Sequence, residues 1–318
     1  MIWAIGDIHG MFDPLKNLIT KLEQLSYSSP DFEIEKIIFI GDYIDRGPST
    51  KEVVDFIVNL PFKKVCLLGN HEIMLLQFLH PMYSLQKYYW PWLQRNGGDA
   101  TFKSYFPKTF FSTEITSLTA KDFPLNEQHQ SFFESLKLFH FEKIAGFKFV
   151  FVHAGFQNHR KFHLETTLNN FSEYLAYINS GNTEVRETLL WTRAEATGRF
   201  ENNILVNGHT PTISSEKYYQ NAGNYKPDSL MPLLNFANGN LHFKKGFPGA
   251  IPFRSENQFS DLLQINIDTA AVYGGALTAM GFSETLLKQN KLCVCQAFSS
   301  NNFNSNDGIR SFEIEMKD

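Results

Sequence analysis

Three times within the first 72 residues, a short apolar run stops at a glycine followed by a carboxylate or an amide: IWAI into GDIHG, KIIFI into GDYIDRG, and VCLL into GNHE. Apolar runs of this length, bounded by turn residues, read as strands buried on both faces. The segments between them change period. Leu15, Leu18, Ile19, Leu22 and Leu25 recur at helical spacing, as do Val53, Val54, Ile57 and Val58 over residues 50–60. Asn70 opens a third such stretch with Ile73, Leu75, Leu76 and Leu79, closed by Pro81. Strands alternating with helices in this way predict a parallel sheet of an α/β protein, because parallel neighbours need crossover connections.

That alternation also constrains chemistry. In open α/β sheets ligands bind beyond the carboxyl ends of the strands. The three motifs place Asp7, His9, Asp42 and Asn70 there. Two later runs behave alike: FKFVFV enters HAG at His153, and ILV leads to GHT at His209. Five strand ends thus deliver carboxylate, imidazole and amide donors into one crevice. Such a donor set fits two divalent ions about 3.5–4 Å apart, a device for polarising a phosphoryl group and activating its attacker. Asp42, central in the set, is the expected bridge, with Asp7 and His9 on one ion and Asn70, His153 and His209 on the other. Imidazole mixed with carboxylate favours manganese, with iron and zinc also compatible, over all-oxygen magnesium or calcium sites.

Around these ligands lie residues suited to substrate. His71 is expected to point away from the metals and to serve as general acid toward a leaving group. Asp45 would hold its far nitrogen, and Arg46 would grip a phosphate through two parallel hydrogen bonds. Gly41, Gly47 and Gly69 allow tight turns beside the site. Glu72 reads as a charge at the positive end of a helix dipole. Asp99 and Thr101 in NGGDAT read as loop residues.

The rest of the chain is less regular. Residues 81–140 break the rhythm and read as a largely helical, cap-like insertion over the sheet edge, whose aromatics Tyr89, Trp90 and Trp92 line the access route or form plain core. The last hundred residues read as antiparallel strands at 261–267, 271–275 and 292–298. Ligands spread from Asp7 to His209 argue for one domain over 1–318 rather than two. The 318 residues carry 29 basic and 33 acidic side chains, a net charge of −4, so no nucleic-acid surface is expected. Three cysteines, Cys66, Cys293 and Cys295, fit no disulfide framework. As a strand, the last two would share one face. With no apolar run near 18 residues and no room for a signal peptide, a cytoplasmic protein without membrane association is expected.

The ordered set GDIHG, GDYIDRG, GNHE, HAG and GHT resembles the PPP-type metallophosphoesterases of the calcineurin-like superfamily, which include serine/threonine phosphoprotein phosphatases. WLQRNGGDATFKSY at 92–105, LLWTR at 189–193 and IDTAAVYGGALTAM at 267–280 are most similar to its bacterial and lambda-phage branch. The resemblance implies a four-layer αββα sandwich with a dinuclear site at one edge. It implies direct hydrolysis by a metal-bound hydroxide, with His71 and Asp45 as the acid pair. It also implies a second phosphate-binding arginine, best matched by Arg193, with Arg186 and Arg199 nearby, and places Tyr273 close to the site. The implied substrate is a phosphorylated protein or a small phosphorylated molecule. The alternative within the family is a symmetrical diadenosine tetraphosphate hydrolase, sharing the DTxxxxGGxLTA pattern. Such hydrolases tend to lack the second acid of GDxxDRG and to carry Asp after GNH. This chain has Asp45 and Glu72, which favours the phosphomonoesterase.

Overall fold

The computed structural model of the chain describes residues 1–79, 86–106, 123–155, 187–194, 196, 202–212, 232–237, 240–245, 254–255, 263–289, 291–298 and 309–316. The expected opening alternation is present: β1 (Ile2–Ile5), α1 (Phe12–Ser28), β2 (Lys36–Phe39), α2 (Thr50–Asn59), β3 (Lys64–Cys66) and α3 (Asn70–Leu79). Residues 81–140 contribute α4 (Gln86–Arg95), α5 (Gly98–Tyr105), α6 (Glu127–Glu134) and the start of β4 (Phe139–Ile144). Thr101 and Asp99 therefore lie in α5 and not in a loop, because the NGG turn ends at Gly97 and the helix begins at Gly98. Tyr89 and Trp90 are described only as backbone.

The chain continues through β5 (Phe147–Val152), a π-helical turn at Glu187–Trp191, β6 (Asn203–Asn207), β7 (Pro232–Ala237), β8 (Asn240–Lys245) and β9 (Arg254–Ser255). It closes with β10 (Gln264–Asn266), β11 (Ala276–Phe282), α7 (Glu284–Lys288), β12 (Lys291–Phe298) and β13 (Ile309–Met316). These strands form a seven-stranded sheet in the order β3-β2-β1-β11-β12-β13-β9 and a six-stranded sheet in the order β4-β5-β6-β10-β8-β7.

The C-terminal expectation needs two corrections. β10 runs parallel to both β6 and β8. Residues 271–273 form a 3₁₀ turn instead of a strand, because Ala270 and Gly274 both adopt left-handed backbone conformations that end an extended run. The antiparallel strand starts only at Ala276, pairing with β1 and β12.

Side-chain alternation shows why the first strands are apolar throughout. On β1, Trp3 and Ile5 pack into a core shared with Leu15, Leu18 and Leu22 of α1, while Ile2 and Ala4 face the second sheet. On β2, Ile37 and Phe39 join the helical side, and Ile38 packs toward Phe149, Phe151, Ile204 and Val206 of the six-stranded sheet. Both faces are covered, so each such side chain contributes about 1.5–3 kcal/mol of burial. Cys293 and Cys295 share the helical face, with Leu292 and Val294 between the sheets. Helices thus cover one sheet, which packs on the other, as the αββα reading requires. Over the second sheet the described residues place the turn at Glu187–Trp191. Among the described residues the three cysteines form no disulfide, and no helix is long and apolar enough to cross a membrane.

Candidate metal and phosphate site

The ligand loops at the ends of β1, β2, β5 and β6 converge. Asp7, His9, Asp42, Asn70, His153 and His209 are all buried, none more than 6% exposed. Ligand atoms of His9, Asp42 and His71 lie within 4.8 Å of one another, and so do those of Asp42, His153 and His209. Asp42 belongs to both groups, the place expected of a bridge. Asn70 Oδ1 meets His153 Nε2 at 2.9 Å and His209 Nδ1 at 3.0 Å. Asp7, expected beside His9, belongs to neither group; its carboxylate accepts the His209 backbone N–H at 3.0 Å.

The imidazoles are oriented from behind. His9 Nδ1 donates to the Ile44 carbonyl at 2.8 Å and His153 Nδ1 to the Ile40 carbonyl at 3.0 Å, because a carbonyl can only accept. Each ring therefore turns its Nε2 lone pair toward Asp42. His209 is reversed: Nε2 donates to the Trp191 carbonyl at 3.2 Å, which leaves Nδ1 facing Asn70. Backbone carbonyls holding the far nitrogen are the usual support for a metal-binding histidine. Burial lowers the pKa of His9 and His153, and that of His209 to about 3, so all three present the neutral, ligating form. Burial alone would raise Asp42, but the surrounding His153, His71, His9 and His209 reverse this, and its pKa falls. Converging lone pairs around a shared carboxylate fit divalent cations.

Backbone strain marks the same place. His9, Asp42, Asp45, Arg46 and His209 all have positive φ, between 48° and 71°. Such conformations cost about 1–3 kcal/mol each in non-glycine residues and persist only where surrounding contacts hold them. Gly41, at φ 100°, is free of that cost. At Gly69 a Cβ would stand 2.2 Å from Asp42 Oδ1, so only glycine lets α3 start this close to the ligand.

Glu72 lies in the first turn of α3, as expected, and does more there. It is wholly buried and accepts backbone N–H groups from Gly69, Asp42, Tyr43 and Ile44 at 2.8–3.3 Å. From there its side chain also reaches across to the loop after β2, and so ties that loop to the start of α3. His71 departs from expectation. Its Nδ1 contacts Asp45 Oδ2 at 2.6 Å, which swings Nε2 inward to 3.9 Å from Asp42 Oδ2. The ring faces the metal basin, not away from it. Asp45 accepts further from the Trp92 indole N–H and the Thr101 hydroxyl, each at 2.6 Å.

Arg46, half-buried, contacts His9 Nε2 and lies over the Tyr273 ring, 5.5 Å from its centroid. Tyr273 is thus beside the site. Arg193 is exposed, yet its charge acts on His209 and Asp268; Arg186 and Arg199 lie outside the described residues. Asp268 was missed by sequence reasoning. It is buried and repels Asp7, and burial raises its pKa to about 6. The signal was available: QIN runs into Ile267 and Asp268 as another strand end, parallel to β6.

Comparison with known proteins gives the family. The calcineurin-like phosphoesterase family matches residues 1–243. A protein of Legionella pneumophila (strain Lens), named a symmetrical bis(5'-nucleosyl)-tetraphosphatase, is 42% identical over 77 residues, 24% of this chain and 26% of that one. One of the same name from Pseudomonas putida (strain GB-1) is 34% identical over 85 residues, 27% of each chain. The matched segment thus spans about a quarter of these relatives. The cold-active protein-tyrosine phosphatase of a psychrophilic Shewanella species is similar in fold, with a TM-score of 0.50 at 17% identity, over 98% of this chain and 79% of that one. With its strand-end ligands brought together and more than half its length matched, the chain belongs to the calcineurin-like phosphoesterases.

Proposed function

We propose that the protein is a metal-dependent phosphomonoesterase whose substrates are proteins phosphorylated on serine or threonine. The observation that carries this reading is the buried His71–Asp45 pair, opening on Asp42 beside Arg46. Asp7, His9 and Asp42 would hold one divalent ion, and Asp42, Asn70, His153 and His209 a second, with manganese first and iron or zinc compatible. When bound, the ions supply positive charge that polarises a phosphoryl group and lowers the pKa of water.

The chain's own residues do the remainder. Arg46 holds non-bridging phosphoryl oxygens by its guanidinium fork, and Tyr273 braces that guanidinium from below. Arg193 adds a second positive charge from the exposed rim. His71 gives the proton on Nε2 to the leaving oxygen as the ester bond breaks, while Asp45 holds the Nδ1 proton and keeps the ring aimed. On this reading the enzyme is cytoplasmic, a single domain over 1–318 with residues 81–140 inserted over the sheet edge.

A second reading, hydrolysis of symmetrical dinucleoside tetraphosphates, is favoured by the names of the relatives that match a quarter of their length. Assaying a phosphoserine peptide beside diadenosine tetraphosphate with manganese separates the two. Faster turnover of the peptide supports the first reading; much faster release of two ADP overturns it.

A further inference from the structure

The Asp45 carboxylate is held by two side chains from the helical segment after residue 85, which the strand-end motifs do not include. Trp92 on α4 places its indole N–H 2.6 Å from Oδ2, the same oxygen that meets His71. Thr101 on α5 accepts the Asp45 backbone N–H at 2.9 Å and returns its hydroxyl proton to Oδ1 at 2.6 Å. An indole nitrogen can only donate, and the Thr101 hydroxyl has one hydrogen, already directed at Oδ1. Every donor around Asp45 therefore points at the carboxylate, and His71 Nδ1 must supply its own proton to Oδ2.

The arrangement is buried and built. Asp45 and Thr101 are fully buried, and Trp92 is 1% exposed among Phe78 and Phe102. The Gly97 carbonyl just before α5 accepts the Arg46 backbone N–H at 3.0 Å, so the same turn steadies the strained Asp45–Arg46 step. Hydrogen bonds to a buried charged acceptor are among the strong ones, and they fix which way the acid faces.

We infer that Trp92 and Thr101 are positioning residues that hold Asp45 so that His71 Nε2 faces the leaving group. This rests on the reading of His71 as a general acid. A side chain that merely supports the fold would slow all substrates alike. One that aims a proton donor matters most when the leaving group is poor, because a good leaving group departs without protonation.

The test compares kcat and KM for phenyl phosphate and 2,4-dinitrophenyl phosphate in wild type, His71→Asn, Thr101→Val, Thr101→Ser and Trp92→Phe. Thr101→Val and Trp92→Phe should lower kcat on phenyl phosphate about tenfold or more, within the range a general acid supplies. KM and the dinitrophenyl rate should change little, and Thr101→Ser should restore the loss. The downfield Nδ1–H resonance of His71 should shift or broaden in Thr101→Val and Trp92→Phe and return in Thr101→Ser, which needs no turnover. Equal losses on both substrates, or an unchanged resonance in variants that melt like wild type, overturn the inference alone. A His71→Asn protein that keeps full activity on phenyl phosphate overturns the acid reading and this inference with it.

Discussion

Asp42 and Asp45 are three residues apart in one loop, yet they serve two differently built regions. Asp42 faces a basin of imidazoles whose far nitrogens are held by backbone carbonyls, and its pKa is pulled down. Asp45 turns the other way, into an aromatic wall of α4 and α5, where side-chain donors hold it. The left-handed backbone at both residues makes this divergence possible. The basin is shaped for cations, with lone pairs converging on a shared carboxylate. The wall is shaped to hold one imidazole in one orientation. On the proposed reading, a single turn thus separates charge binding from proton delivery.

The largest expected effect lies in the basin. Asp42→Asn should leave both metal groups without their shared carboxylate, reduce bound metal measured by plasma mass spectrometry, and lower turnover roughly 10⁴-fold. Next, His71→Asn should keep its metal while kcat falls about 10²–10³-fold. Loss of metal from His71→Asn would merge the two regions, because the ring's inward Nε2 would then be a ligand. The Thr101 and Trp92 variants come third and bear only on the wall.

Glu72 joins the regions by tying the loop after β2 to α3. Glu72→Gln replaces an acceptor oxygen with a donor facing buried N–H groups, and should cost about 1–3 kcal/mol or more in denaturant unfolding. An unchanged midpoint would show that the four backbone contacts do not hold the loops together.

The smallest effect is one of pH. Burial raises Asp268 to about 6 from its ordinary 3.8. A carboxyl raised in the folded state contributes stability below the unfolded pKa, and that contribution is lost as pH rises through the folded pKa. Above pH 6 the folded protein carries the full penalty of ionising Asp268 beside Asp7. After dialysis against a chelator, Asp268→Asn should therefore melt a few degrees higher than wild type at pH 8, and the gain should vanish near pH 4. Asn keeps an oxygen for the Ala270 N–H, so an equal shift at both pH values would assign the effect to packing.

The basin was legible in the sequence and the wall was not. Strand ends announce themselves locally: an apolar run, then glycine, then a ligand, repeated with compatible donor chemistry. Asp268 follows the same rule at the end of β10 and went unread because 261–267 read as part of an antiparallel tail, whereas β10 runs parallel to β6 and β8. Thr101 and Asp99 looked like loop residues because NGG is a turn signal, yet α5 starts within it. Nothing in the residues of α5 says that a threonine hydroxyl will meet a carboxylate 56 positions earlier. Glu72 was read only in part: its place at the start of α3 was legible, but its further partners in the loop after β2 were not.

By itself, then, the sequence determined the alternating core, the convergence of ligands at strand ends and the family. These follow from periodicity and residue chemistry read over a few neighbours. Only the tertiary structure decided which way each ring points, that His71 faces inward, that residues 271–273 turn instead of extending, and what stands behind Asp45. Those outcomes depend on contacts between distant segments, where a carbonyl, an indole or a hydroxyl supplied by another element selects one orientation among several that are locally equivalent.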